Sequence, residues 1–263
     1  MDYSKKTFRT DNHKYQGISA AYFERERLNI SDSIDDIYSI IRKQRIHVFR
    51  RTLEDSNISG VYIKHPQAGH CILVNYSDDI YRQNFSMAHE YCHVLFDSNK
   101  EQNISYFNKE KDYVEIRANN FASNFLVPKD AIDKVKNIDN MALLKKSILN
   151  VCKKYHVSNQ VILNRLRNEK IIDEDKYKVL SVDNELVISR EDKIDPELSG
   201  TSIKMQERLM PMIKNGISLE YIELCRTAYQ QDAISYGKMI ECLQMPFESS
   251  KQLFDAWDVL MEV

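Results

Sequence analysis

A histidine, a glutamate and a second histidine lie within five consecutive residues, from His89 to His93. This is the pattern H-E-x-x-H, and helical spacing places His89 and His93 one turn apart on the same face. Two imidazoles in that arrangement can hold one zinc ion. Glu90 lies beside them, where its carboxylate can take a proton from water whose pKa zinc lowers toward roughly 7. The pattern predicts hydrolytic chemistry, and two helical histidines without a metal are the alternative.

A catalytic zinc site uses three protein ligands and keeps one position open, so a third ligand is required. Glu115 lies on the next predicted helix, which can pack antiparallel to the first. Asn119 follows one turn later and could fix the tautomer of a ligating histidine. By position alone, Glu115 could equally be a solvated surface residue. The other candidates are His70, His156, Glu101, Glu110 and Asp112.

Two long helices must carry these side chains, and the hydrophobic spacing predicts both. Apolar residues recur every three or four positions over Asp78–Phe96 and again over Asp112–Leu126. Before them, β-branched runs at Gly60–Ile63 and Cys71–Asn75 flank a Pro/Gly turn, which is typical of a hairpin. A further strand is predicted at Ile46–Arg50. The helices therefore follow a small sheet.

The second half of the chain has a different pattern. Helices are predicted over Asn140–Tyr155 and Ser158–Asn168, and the short break between them is typical of a helix-turn-helix. Polar and apolar residues alternate over Lys176–Ser189, which predicts a short hairpin. Residues 190–203 resemble a linker, and the spacing of apolar residues from there to Val263 predicts helices. We therefore expect three parts: residues 1–130, residues 131–172 and residues 173–263.

Composition narrows the class of protein. Six glycines and five prolines among 263 residues exclude collagen-like and low-complexity chains. A net charge of -2 gives no bulk attraction to nucleic acid or to a membrane surface. No apolar run reaches the roughly 18 residues of a membrane span, and the N-terminus has no secretory signal. The five cysteines, odd in number and widely spaced, favour reduced thiols in the cytoplasm.

Four segments together resemble the ImmA/IrrE family of metallopeptidases. That family has a strand hairpin, a helix with F-[ST]-x-A-H-E-x-x-H, and then E-x-x-A-N-x-F-A-x-x-L-L-x-P. The corresponding segments here are Ser59–Ile63, Ile72–Asn75, Arg82–Phe96 and Glu115–Pro128. The departures are Tyr91 and Cys92 in place of small residues, and Phe125 and Val127 in place of Leu and Met.

The resemblance implies an α+β fold in which a minimal gluzincin-like zinc peptidase domain precedes a helix-turn-helix-like segment and a mostly helical C-terminal region. It implies that His89, His93 and Glu115 hold one zinc ion per chain and that Glu90 is the general base. Cys92 precedes His93 by one position and points about 100° away on a helix, so we expect it in the core. An extended substrate is expected to pair with the strand Cys71–Asn75. Candidate oxyanion donors are Tyr62, Tyr106 and His156.

The resemblance also implies a substrate, a helix-turn-helix (XRE-type) transcriptional repressor whose cleavage would release genes of a mobile element or a stress response. Two other functions stay open. One is a non-catalytic antirepressor with a structural zinc site, for which Glu90 would be superfluous. The other is a DNA-binding regulator using Lys145–Arg167, because residues 129–170 carry ten Lys/Arg against four Asp/Glu.

Overall fold

The computed structural model describes residue 3 and residues 12–54, 57–98, 102–106, 113–248 and 250–251. In this part of the chain, helices dominate and four short strands form one sheet. The helices are α1 (His13–Arg27), α2 (Ile37–Arg42), α3 (Ile80–Phe96), α4 (Tyr113–Leu126), α5 (Lys129–Asp133), α6 (Met141–Tyr155), α7 (Asn159–Asn168), α8 (Glu174–Ser181), α9 (Ile203–Lys214), α10 (Leu219–Gln230) and α11 (Tyr236–Cys242). The strands are β1 (His47–Arg51), β2 (Ile58–His65), β3 (Gly69–Asn75) and β4 (Gln102–Tyr106). The α+β class is confirmed.

The sheet has the strand order β1-β3-β2-β4. The predicted hairpin is confirmed: β2 and β3 are antiparallel, with Tyr62 opposite Ile72, and Gly69 takes the left-handed conformation in the turn. β1 runs parallel to β3, and β4 runs antiparallel to β2. Because β3 has a partner on both sides, the expectation that a substrate pairs with Cys71–Asn75 is wrong. Of the described strands, β1 and β4 lie at the two edges of the sheet, and the end of β1 makes one isolated bridge with Asn215.

Helix α3 packs against β2 and β3 and also against α4, which in turn packs along α1. Asp79 begins α3 by accepting a hydrogen bond from the Tyr81 backbone N–H at 3.0 Å. α1 and α4 approach closely at Gly17, where a Cβ would lie 2.3 Å from the Arg117 carbonyl oxygen. This stack of helices fixes α4, and with it Glu115, relative to α3.

The predicted hairpin at Lys176–Ser189 is wrong, because α8 and a 3-10 turn (Asn184–Leu186) occupy this segment. Asp173 caps α8 by accepting from the Lys176 N–H, and Tyr177 and Leu180 pack inward three positions apart. That spacing belongs to a helix, whereas the alternating polar residues had suggested a strand. The following segment is no free linker, since Asp195 and Glu197 form ion pairs with Arg50 of β1.

The buried apolar residues form two clusters. The larger extends from Tyr3 to Ile188 and includes residues of α6 and α7, such as Ile148 and Leu163. The smaller gathers α9, α10 and α11 around Ile213 and Met239 and includes Tyr76 from the end of β3. The helical prediction for the C-terminal region is confirmed up to residue 251, and its continuation lies outside the described residues. None of the described helices has both the length and the apolar character needed to cross a bilayer.

Candidate metal centre and active site

His89 and His93 project from one face of α3, as their spacing predicts. Their Nε2 atoms are 3.1 Å apart, and their rings meet edge to face with centroids 4.9 Å apart. His93 is fully buried and His89 nearly so. Two imidazole nitrogens therefore converge on one point inside the protein.

Glu115, in the first turn of α4, completes this group. Its Oε2 lies 3.1 Å from His89 Nε2, and its Oε1 lies 3.6 Å from His93 Nε2. One ligand atom from each residue lies within 4.8 Å of the other two. Two imidazole nitrogens and one carboxylate oxygen form the donor set of many catalytic zinc sites, so these residues fit the ion.

Neither described rival histidine belongs to this group of three residues. His70 on β3 has its Nδ1 2.9 Å from the hydroxyl of Tyr62, the candidate oxyanion donor. His156 ends α6 in the left-handed conformation, and its carbonyl oxygen accepts a hydrogen bond from Asn84. The candidates Glu101, Glu110, Asp112 and the Tyr106 side chain lie outside the described residues.

The far nitrogens of both histidines have partners. Asn119 Oδ1 lies 3.0 Å from His89 Nδ1, the role the sequence suggested for it. Asp97 Oδ2 lies 2.8 Å from His93 Nδ1, and Arg117 donates to both Asp97 oxygens at 2.7 and 2.8 Å. Hydrogen bonds of this kind set the tautomer and the ring orientation of metal-binding histidines. Sequence reasoning missed Asp97, although its position one helical turn after His93 was a usable signal.

The ionisable groups of the centre shift one another's pKa values. Burial lowers the pKa of His89, but the hydrogen bond that it donates to Glu115 and the charge of Glu90 raise it above its ordinary value. Burial raises the pKa of Glu115, and the hydrogen bond with His89 and its charge lower it below its usual range. Zinc binds neutral imidazole, so zinc and a proton compete for His89.

Glu90 is fully buried and stands apart from the ligand group. It lines the same cavity as His89 and Glu115. Gly60 on β2 makes room for it, because a Cβ there would lie 2.8 Å from Glu90 Oε1 and 2.9 Å from its Cγ. The β2–β4 register shifts between Ile58 and Gly60, so a bulge brings Ser59 to the cavity wall. A carboxylate is thereby held next to the metal ligands without being one of them.

The two residues between Glu90 and His93 belong to the core. Cys92 is fully buried, as predicted, and burial raises the pKa of its thiol well above its usual range. Tyr91 reaches across to α1, where its hydroxyl donates to the buried carboxylate of Glu24. The large residue at this position thus fastens α3 to α1.

The metal group opens into a cavity of about 1030 Å³. One wall comes from α3 and α4 and includes Phe85, Asn119 and Asn120. Another comes from the second helix of the predicted helix-turn-helix pair, α7, together with Tyr177 of α8. Lys193 extends the wall from the segment after the 3-10 turn. Helix α7 therefore lines the same cavity as Glu90 and the three metal-ligating candidates.

A family model described as the IrrE N-terminal-like domain of the M78 peptidases matches residues 41–167. The match includes β1 to β3, both helices that carry the metal group, and α6 and α7. A search of curated proteins finds no match to the chain.

Proposed function

Because this chain belongs to the ImmA/IrrE family of zinc-dependent peptidases through residues 41–167, we propose that it is a site-specific endopeptidase. One observation carries the proposal: Glu90 is buried beside three convergent metal-ligating side chains, lies outside their group, and faces a large cavity. A purely structural zinc site is closed by its ligands and needs no additional carboxylate.

Each residue then has a distinct role. His89, His93 and Glu115 would hold zinc, which when bound lowers the pKa of water and polarises a carbonyl oxygen. Glu90 takes a proton from the attacking water and returns it to the leaving amine. Asn119 and Asp97 hold the histidine rings in place. The cavity accepts the segment of chain to be cut, and an extended segment can add to the sheet beside β4, the edge strand that pairs with β2.

We further propose that the substrate is a helix-turn-helix transcriptional repressor and that cleavage occurs in the cytoplasm. The support is the resemblance of this chain to the family and the shape of the cavity around Glu90. Helix α7 and the segment around Lys193 line the same cavity as Glu90, so a bound substrate meets folded elements on more than one side, which favours a docked substrate over any unfolded chain. We expect casein to survive under conditions in which the repressor is cut.

Direct DNA binding through α6 and α7 has less support. Several of their cations are engaged within the protein: Lys145 pairs with Glu185 at 2.8 Å, and Lys154 pairs with Asp32 at 2.7 Å. Arg165 is buried and pairs with Glu169 at 2.9 Å. Phosphate contacts need free cations on an open face, and α7 lines a cavity instead. A salt-dependent gel shift would favour the DNA-binding function.

The decisive experiment is the Glu90→Gln variant. Zinc content and substrate binding should persist, because Glu90 is not among the ligand group. Cleavage should fall by about 10²–10⁴-fold, the usual contribution of a general base. New protein N-termini, measured by mass spectrometry in cells expressing each variant, identify the substrate and the cut.

Two variants complete this experiment. His89→Ala should lose both the metal and the activity, and Glu207→Gln, at an exposed site of α9, should lose neither. If Glu90→Gln still relieves repression while nothing is cut, the non-catalytic antirepressor is the correct function.

A further inference from the structure

Four cations line the cavity among the described residues, and three of them are largely neutralised. Those with close acidic partners are Lys193 with Asp79 at 2.7 Å, Arg165 with Glu169 at 2.9 Å, and Arg82 with Asp78 at 3.2 Å. Such pairs cancel most of the charge that a ligand would sense. Electrostatic attraction by this wall therefore depends on any cation that lacks a close acid.

Arg167, near the end of α7, is that cation among the described residues of the wall. Its nearest carboxylate is Glu174, whose Oε1 is 3.8 Å from Nη1. Both side chains are well exposed, Arg167 at 37% and Glu174 at 57%. Contacts of this length between exposed groups are screened by water and contribute little. The charge of Arg167 is therefore available to a ligand in the cavity.

Its guanidinium is also held in place before any ligand arrives. It lies over the ring of Tyr177, 4.1 Å from the centroid. The Tyr177 hydroxyl is fixed in turn by Asn164 at 3.0 Å and by Gln160 at 2.6 Å. Arg167 Nη2 also donates to Asn164 Oδ1 at 3.4 Å, a long contact that orients the group. A guanidinium stacked in this way loses little freedom on binding a carboxylate with two parallel hydrogen bonds.

We propose that Arg167 determines substrate specificity by binding an aspartate or glutamate side chain of the segment to be cut. Arg167 lines the same cavity as His89, Glu90 and Glu115, so a segment bound at the metal group can also reach α7. This inference rests on the proposed peptidase function and adds a sequence requirement at one fixed distance from the cut bond.

The test uses a synthetic random peptide library and the full-length, zinc-loaded protein. Glu90→Gln protein captures peptides, and active protein cuts them, with both pools sequenced by mass spectrometry. We expect enrichment of Asp or Glu at one position in both pools. Arg167→Glu should lower the preference for acidic peptides by about tenfold and replace it with a preference for Lys or Arg at that position.

The controls separate recognition from folding and from catalysis. Arg190→Glu makes the same charge change at an exposed site outside the cavity wall and should leave the profile unchanged. If Arg167 has a purely structural role, Arg167→Glu should lower the capture of all peptides equally without reversing the preference. Either that result or an unchanged profile would overturn the proposal. A third outcome would separate the two proposals. The Glu90→Gln protein could capture acidic peptides and lose that preference when Arg167→Glu is added, while protein that retains Glu90 cuts nothing. That result would refute the peptidase function and support the recognition site. No capture at all would refute the recognition site.

Discussion

At the scale of single residues, the two histidines of the candidate metal group are positioned by side chains outside that group. His93 is oriented by Asp97, and Asp97 is held by Arg117, whose guanidinium lies 4.4 Å from the Phe96 ring centroid. Burial raises the pKa of Asp97, while the hydrogen bond with His93 and the charge of Arg117 lower it below its usual range. An ionised carboxylate thus supports the imidazole and increases its basicity as a ligand.

Replacing that carboxylate should weaken zinc binding. Asp97→Asn keeps the size of the side chain and an acceptor oxygen but removes the charge next to His93. We expect zinc affinity, measured by competition with a chelator, to fall about 10–100-fold. Asp130→Asn, at an exposed site of α5, is the matched control. Equal affinities in the two variants would show that Asp97 does not support the ligand.

A second prediction concerns the space around the proposed base. In Gly60→Ala the new Cβ would overlap Glu90 Oε1, so the carboxylate must move while the ligand group stays. We expect zinc content to be unchanged and cleavage to fall at least about tenfold, because small displacements of a catalytic group are costly. Gly237→Ala, where a Cβ meets nothing within 4 Å, is the control. Full activity of Gly60→Ala would mean that Glu90 has no fixed position.

At the scale of elements, the metal group depends on how closely three helices approach. α3 supplies both histidines, α4 supplies Glu115, and α1 braces α4 through the contact at Gly17. Glu24 of α1 also accepts hydrogen bonds from Tyr3 and Tyr91 inside the core. Burial raises the pKa of Glu24, but the hydrogen bonds with Arg27 and these tyrosines lower it below its usual range. α1 is therefore part of the frame that positions the site.

Gly17→Ala tests this frame. The added methyl would lie 2.3 Å from a backbone oxygen, which cannot rotate away, so α1 and α4 must separate. We expect a loss of about 1–3 kcal/mol in the free energy of unfolding, measured with urea, as for other overpacked sites. Zinc affinity should fall with it, since Glu115 moves with α4. In α11, Gly237→Ala should be neutral or stabilise by up to about 1 kcal/mol. A Gly17→Ala protein as stable as wild type would contradict this.

At the scale of the whole molecule, one buried arginine joins the two hydrophobic clusters. Arg50 of β1 lies over the rings of Tyr38 and Tyr76, 4.5 and 4.9 Å from their centroids. It also pairs with Asp195 at 2.7 Å and with Glu197 at 2.9 Å. Tyr38 belongs to the larger cluster and Tyr76 to the smaller. The C-terminal helices are thus fastened to the sheet next to the metal centre.

Arg50→Met should loosen this junction. It leaves Asp195 without its charge partner and Glu197 with Arg42 alone, and breaking a buried pair costs about 3–5 kcal/mol. We expect urea unfolding to change from one transition to two, with the C-terminal helices unfolding first. Arg51→Met, at the exposed neighbouring position of β1, should unfold like wild type. A single, unshifted transition in Arg50→Met would show that the junction does not depend on this residue.

Much of the site could be predicted from the sequence because its signals are local. The spacing of His89 and His93 is a property of one helix, and hydrophobic periodicity located α3, α4 and the β2–β3 hairpin. The third ligand was harder to predict, because position alone did not distinguish Glu115 from a solvated surface residue. Only the family resemblance selected it. The strand order was beyond such reasoning: a parallel β1 beside β3 arises from a pairing between distant segments, and it makes β1, in place of β3, an edge of the sheet.

The tertiary structure decided the features that join distant parts of the chain. The support of His93 by Asp97 required Arg117 from another helix, and the room for Glu90 required Gly60 from a strand. The orientation of α7 toward the cavity could not be read from its basic composition, because composition does not tell which face is covered. Sequence patterns record what each element buries, whereas the pairing of elements is settled by packing among residues far apart in the chain.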